Sequence, residues 1–373
     1  MSDLTTTSGI IQKIISHGLS KNASDWHFTA GEPLALRISG VMCKCDGTDG
    51  HPNFKITERE ITELMVEHTP EAKRLIFMTE SGQHLDVSDV IEEERFRLHF
   101  EWITGLSGNR QAAAVLRHIP SELPQMENLG LPFGYQKLIQ SPPPHGLILV
   151  TGTSGSGKTT TLAASINYLN QHLADKISTL EAPVEFFHRS QKSLVIHRSV
   201  GVDVPTFQKG IEAAMRSDPD ILLVGEMRDL DTISAALSAA ETGHLVFASL
   251  HTNNAPGALS RILDSVPEGT RDQYRAMLSN SLRAVLAQRL VPKIGGGRIG
   301  VFEYMANTPA VASQIRENKI GQLRGTIKTG KEHYMISLDQ SLKRLVAEKK
   351  ITRETALEFA DNRTELEQDL RIL

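Results

Sequence analysis

Apolar residues recur in two different rhythms along the chain. Residues 147–151, 177–181, 221–225 and 245–250 read as short strands, all but the second being nearly continuous apolar runs. The first three each lead, through a polar or glycine-bearing stretch, to a segment with helical spacing, at 158–172, 206–216 and 229–241. Runs of that length predict strands buried on both faces, and their alternation with helices predicts a largely parallel sheet. The N-terminal rhythm is different. Ile10, Ile11, Ile14, Ile15 and Leu19 lie on one helical face, closed by Gly18 or Asn22. Residues 23–33 read as a polar turn and 34–40 as a strand, and Thr57-x-x-Glu60 is a capping-box signal for a helix through about His68. Strands are expected around 83–87, 94–103 and 111–119, the second alternating apolar and polar as one buried face requires.

These rhythms divide the chain into a small α+β module over 1–118, a proline-marked linker over 119–136 and an α/β domain over 137–373. Ser141-Pro-Pro-Pro-His145 makes a second break just before the first buried strand. After Asn253 the pattern reads as mostly helical, in pieces at 308–317, 318–329, 337–349 and 352–361, so that about 305–373 forms a helical C-terminal part.

The strand at 147–151 opens onto Gly152-Thr153-Ser154-Gly155-Ser156-Gly157-Lys158-Thr159-Thr160. Gly152, Gly157, Lys158 and Thr159 fill the pattern G-x-x-x-x-G-K-[ST], here between a buried strand and a helix. Glycine permits the backbone to turn its N–H groups inward around phosphate oxygens, and the following helix N-terminus reinforces them. Lys158 is placed for the β/γ-phosphates and the Thr159 hydroxyl for Mg2+. The chain is therefore expected to bind ATP with magnesium. A second stretch, Asp218 to Asp229, puts Glu226 just beyond the 221–224 run, on the sheet edge that carries the loop. A carboxylate there can orient water and accept its proton. Gly225 stands where many phosphate-loop proteins keep a metal-binding Asp. Glu181 and Glu185 flank Pro183 on the same edge as further candidate acids, and His251 ends the 245–250 run where it could sense the γ-phosphate.

Composition narrows the remaining choices. At 373 residues the chain has length for two domains, and its 40% hydrophobic and 23% charged content is that of a globular protein. A net charge of −4 with 5% aromatics argues against nucleic acid as a partner. No apolar run reaches the ~20 residues of a membrane span, and the N-terminus has no signal-peptide pattern. Cys43 and Cys45 are the only cysteines; they fit a reducing cytosol and cannot supply a four-cysteine zinc site.

In order and spacing, the segment from Ala23 to Pro33, the phosphate loop, 179–185, 218–229 and 242–254 resemble the N-terminal signature, Walker A, Asp-box, Walker B and His-box of secretion-type ATPases, specifically the PilT-like pilus retraction motors. The resemblance implies a RecA-like ATPase domain behind a PAS-like N-terminal domain, joined in a homohexamer. It implies ATP between the two domains and against a neighbouring subunit, with Glu226 as catalytic glutamate and Arg216 near the active site. It also implies phosphate contacts from N-terminal arginines, for which Arg97, Arg110 and Arg117 are the candidates. Such motors work in the cytoplasm, peripheral to the inner membrane, against a pilus platform protein, with a paralogous motor ATPase as a further partner. Two departures stand out. Ala182 replaces the usual Asp of the Asp-box, and the retraction motors' C-terminal Ala-Ile-Arg-Ala-Gly-Glu-Ser-like segment is absent. ATPases of conjugative or type IV secretion systems, and a non-hydrolysing nucleotide-binding scaffold, stay open as alternatives.

Overall fold

The computed structural model describes residues 6–69, 71, 74, 77, 84–105, 108–119 and 122–372. Gln83, at the edge of an expected strand, and Pro120, in the expected linker, lie outside them. The chain divides into two compact units, Met1–Glu122 and Leu123–Leu373.

The first unit is an antiparallel sheet with helices against one face. Its strands are β1 (Ala23–Thr29), β2 (Ala35–Ile38), β3 (Val41–Lys44), β4 (His84–Ile91), β5 (Glu94–Thr104) and β6 (Arg110–Ile119), in the order β3-β2-β1-β6-β5-β4 among the described residues. Helix α1 (Thr6–Ser20) buries Ile11, Ile14 and Ile15 with Trp26, Phe28, Phe96 and Leu98. Trp26 donates from Nε1 to the Ile14 carbonyl at 3.1 Å, so the indole's one polar atom is satisfied inside the core. The Thr57–Glu60 capping box forms as expected and opens α2 (Glu58–His68). Ala23–Thr29 is a strand where a polar turn was expected. Trp26 and Phe28 point to the core, while Asp25 and His27 share the opposite face.

The second unit carries seven strands among the described residues: β7 (Gly146–Thr151), β8 (Lys176–Glu181), β9 (Leu194–Ser199), β10 (Ile221–Val224), β11 (Leu245–Leu250), β12 (Leu282–Pro292) and β13 (Arg298–Ala306). Their order is β13-β12-β7-β11-β10-β8-β9, all neighbours parallel except the edge strand β13. Leu147 and Leu149 pack on one face of the sheet, and Ile148 and Val150 on the other. Coverage of both faces explains why β7 reads as an unbroken apolar run. Helices α3 (Phe133–Gln140), α4 (Lys158–His172), α5 (Phe207–Met215), α6 (Leu230–Glu241) and α7 (Ala255–Asp264) surround it.

Two expectations are amended here. The region after Asn253 is mostly helical as expected, but the unforeseen strands β12 and β13 interrupt it and complete the sheet. Residues 126–136 are not a free linker, since Met126, Leu131 and Tyr135 are buried with Ile139 in the unit's core. The Tyr135 hydroxyl meets Ser165 Oγ of α4 at 2.9 Å. Beyond β13, short helices, α8 (Leu338–Ala347), α9 (Arg353–Phe359) and α10 (Arg363–Leu370) among them, bury Leu342, Leu345 and Leu366 against Val291 and Val301. No helix among the described residues is long and apolar enough to cross a membrane.

Candidate functional site

The site is built at the carboxyl edge of the parallel sheet, where β7 turns into α4. A Cβ on Gly152 would stand 2.4 Å from both the Gln288 carbonyl of β12 and Ser156 Oγ, so the turn tolerates no side chain there. Gly157 caps α4 with φ of 91°, in the left-handed region. Thr153, Ser154 and Gly155 are exposed, Ser156 is buried, and Gly157, Thr159 and Thr160 are half-buried. Gln288 donates from Nε2 to the Ser156 carbonyl at 2.7 Å, which pins the loop to β12. Ser156 Oγ is itself buried without a partner.

Lys158 folds back into its own loop. Its Nζ donates to the carbonyls of Gly152 at 2.8 Å and Thr153 at 3.1 Å. Burial lowers its pKa, while the carboxylates of Glu226 and Glu185 oppose that shift. The cation thus feels both acids from a buried position, with neutral oxygens as its direct partners.

Glu226 leaves the end of β10 through Gly225. Its Oε2 lies 2.7 Å from Arg228 Nε, and its Oε1 lies 3.2 Å from His251 Nε2. Parallel pairing of β10 with β11 brings the two strand ends together and so creates the Glu226–His251 contact. Thr151 Oγ1 lies 2.6 Å from Thr252 Oγ1 and donates to the Thr252 carbonyl at 2.8 Å, tying the His251 segment to the strand that feeds the loop.

Glu181 ends β8 on the same edge and is buried. Burial pushes its carboxyl up to about 7, against the Thr179 hydrogen bond, and nearby Glu185 raises it further. Gly225 makes room for it. A Cβ at Gly225 would stand 3.2 Å from the Leu180 carbonyl and 3.5 Å from Glu181 Cγ. The acid absent from position 225 therefore has a counterpart arriving from the neighbouring strand.

Arg216 is not brought to this edge within the chain. It is exposed at the C-cap of α5 and precedes β10, whereas Glu226 follows it. The four-residue strand between them is roughly 13 Å long. The N-terminal arginines belong to the antiparallel sheet. Arg117 Nε lies 2.7 Å from Asp25 Oδ1, Arg97 Nε lies 3.7 Å from Asp86 Oδ1, and Arg110 lies over the Trp102 ring at 4.5 Å. Arg97 and Arg117 are register partners on β5 and β6 and share the face opposite the core.

An open cleft of about 390 Å3 runs beside the loop, lined by Thr153, Ser154, Asn253, Arg289, Arg298 and Phe359 among others. Its volume is that of a small-molecule site. Arg289 is braced by Asp361 at 2.6 Å and by the Phe359 carbonyl at 2.8 Å. Sequence reasoning missed Gln288, Arg289 and Arg298 because no strand was read in the region after Asn253, taken as mostly helical. A strand cue was present in the β-branched and aromatic residues Ile299, Val301, Phe302 and Tyr304.

Comparison with known proteins fits this geometry. The profile of the type II/IV secretion system protein family matches residues 2–356. The chain belongs to that family. Among its relatives, the type IV pilus retraction ATPase PilT of Pseudomonas aeruginosa is 40% identical over 359 residues, 94% of this chain and 98% of that protein. A twitching motility protein of Neisseria gonorrhoeae is 39% identical, covering 95% of this chain and 91% of its own. A crystal structure of the pilus retraction motor PilT with bound ADP superposes with a TM-score of 0.83 at 38% identity, covering 96% of this chain and 99% of that one. This secretion-family member has their mixed α/β fold, with a parallel sheet and flanking helices.

Proposed function

We propose that this chain is a magnesium-dependent ATPase whose homohexameric ring drives retraction of a type IV pilus. The observation that carries the reading is the convergence of Lys158, Glu226 and His251 on one sheet edge. Homology to the retraction ATPase and the twitching motility protein supports the choice of pilus work. In the reaction, Lys158 exchanges its two loop carbonyls for phosphate oxygens of ATP. Glu226, oriented by His251 and Arg228, aligns a water on the γ-phosphorus and takes its proton. The new P–O bond forms as the bond to the β-phosphate oxygen breaks, leaving ADP and phosphate.

The residues fit magnesium, because the Thr159 hydroxyl and the Glu181 carboxylate are hard oxygen donors and Glu181 occupies the space left by Gly225. When bound, magnesium neutralises charge developing on the phosphates. The N-terminal arginines add charge stabilisation across the assembled ring. The chain works in the cytoplasm, held at the inner membrane by a pilus platform protein and acting beside a paralogous motor.

The biochemical test is steady-state phosphate release with saturating Mg-ATP, compared with Lys158→Ala. Turnover no higher than in that variant would leave a nucleotide-binding scaffold instead. The cellular test is deletion in the parent organism, which should leave surplus, immobile pili. Bald cells would indicate assembly, and unchanged pili with failed transfer of protein or DNA would indicate secretion.

A further inference from the structure

A second cluster lies in the N-terminal unit, among side chains that the proposed reaction does not use. His17 on the last turns of α1, Cys45 just after β3 and His51 in the following loop each offer one ligand atom, and all three atoms lie within 4.8 Å of one another. His17 Nε2 and His51 Nδ1 are 3.1 Å apart. Cys45 is fully buried, and the two histidines are half-buried.

The backbone holds these groups in place. Cys45 donates its N–H to the Leu34 carbonyl at 2.7 Å and accepts from Phe54 N–H at 3.0 Å, so the loop carrying His51 is closed at its neck. Within that loop Thr48 N–H bonds to Asp46 Oδ1 at 3.1 Å, and His51 N–H bonds to the Thr48 carbonyl at 2.9 Å. Phe54 packs edge-on against the His17 ring at 5.8 Å between centroids. Two ligands therefore sit on one closed loop, and the third on a helix packed into the same core.

We propose that His17, Cys45 and His51 form a binding site for a zinc-class divalent cation, with its fourth position open to solvent. Two imidazoles and a thiolate are the mixed borderline and soft donor set that such a cation prefers. With Zn–N near 2.0–2.1 Å and Zn–S near 2.3 Å, tetrahedral geometry puts ligand atoms roughly 3.3–3.6 Å apart. The 3.1 Å separation of the two nitrogens is already close to that edge. On binding, the cation displaces the thiol proton to solvent, while the proton between the imidazoles moves to the outward ring nitrogen of the histidine that held it, so both rings ligate as neutral groups. Its effect is to clip the end of α1 to the loop between β3 and α2.

The test uses the full chain, freed of metal and titrated with Co(II) as a spectroscopic probe. One equivalent should give a thiolate-to-cobalt charge-transfer band and intense tetrahedral d–d bands, both displaced by Zn(II). Cys45→Ser should remove the charge-transfer band, while Cys43→Ser should leave it. His51→Gln should weaken cobalt affinity at least tenfold, and it serves as the decisive variant should circular dichroism show Cys45→Ser to be unfolded. No charge-transfer band in the wild type, its persistence in folded Cys45→Ser, or unchanged affinity in His51→Gln would overturn the site. The cluster would then be a buried cysteine beside a plain histidine pair.

Discussion

The two sheets of this protein handle their cations in opposite ways. On the parallel sheet Lys158 is buried, and its direct partners are the carbonyls of its own loop. Those neutral partners can be exchanged for phosphate oxygens with little rearrangement. On the antiparallel sheet Arg117 and Arg97 already face carboxylates, Asp25 and Asp86. Any phosphate they contact must compete with those acids. The first site is prepared for a ligand by one chain, whereas the second needs something beyond its own unit to redirect it. The proposed division of labour follows: the parallel sheet binds ATP and positions water, and the arginines raise turnover only in the assembled ring.

The largest effect should come from Glu226→Gln, which keeps the size of the side chain and loses its basicity. Hydrolysis is expected to fall about 10²–10⁴-fold, the range for general-base catalysis, with ATP affinity nearly unchanged. Parallel loss of binding and turnover would make Glu226 structural. Arg117→Ala comes next. If the guanidinium reaches phosphate in the ring, kcat should drop about 10–10²-fold, the worth of one charge-assisted hydrogen bond, with nucleotide affinity held. A lower melting temperature with unchanged kcat would instead leave Arg117 as a partner of Asp25 alone.

His251→Ala should cost about 2- to 10-fold in kcat, since it removes one hydrogen bond that orients Glu226. An effect as large as that of Glu226→Gln would mean that His251 itself handles the proton. The smallest effect concerns stability. Glu303 on β13 accepts the Ala255 N–H at 2.7 Å and so anchors the helix that follows the His251 segment. Burial pushes its carboxyl up to about 7, from an ordinary value of 4.5. The folded state therefore holds this proton more tightly than the unfolded chain, and stability falls as pH rises between those two values. Glu303→Gln keeps the accepting oxygen and should flatten that decline, as followed by melting temperature against pH. Glu181, raised for the same reason, leaves a residual slope.

How far the sequence could be read follows the same contrast. The phosphate loop, Glu226 and the core strands were legible because each is a local pattern whose spacing carries its meaning. Strand β12 was not. Leu282-Arg-Ala-Val-Leu-Ala-Gln-Arg-Leu-Val is rich in strong helix formers, and only its place between β7 and β13 makes it a strand. Strand β1 was hidden by Asn22, Gly31 and Pro33, turn-forming residues around a short alternation. The stretch 119–136 looked like a linker from Pro120, Pro124 and Pro132, yet the apolar side chains of Met126 and Leu131 fill the core. The cluster of His17, Cys45 and His51 joins residues up to 34 positions apart, and no local spacing signals it.

The central claim is that one chain suffices to bind ATP but not to hydrolyse it rapidly. It is tested most directly by measuring phosphate release per subunit, together with nucleotide occupancy, on the full chain diluted through dissociation of its ring. An arginine supplied at the γ-phosphate is worth roughly 10³–10⁵ in rate in other phosphate-loop enzymes. Occupancy should therefore hold while the rate per subunit collapses as rings give way to monomers. A rate per subunit that stays constant in the monomer would contradict the account.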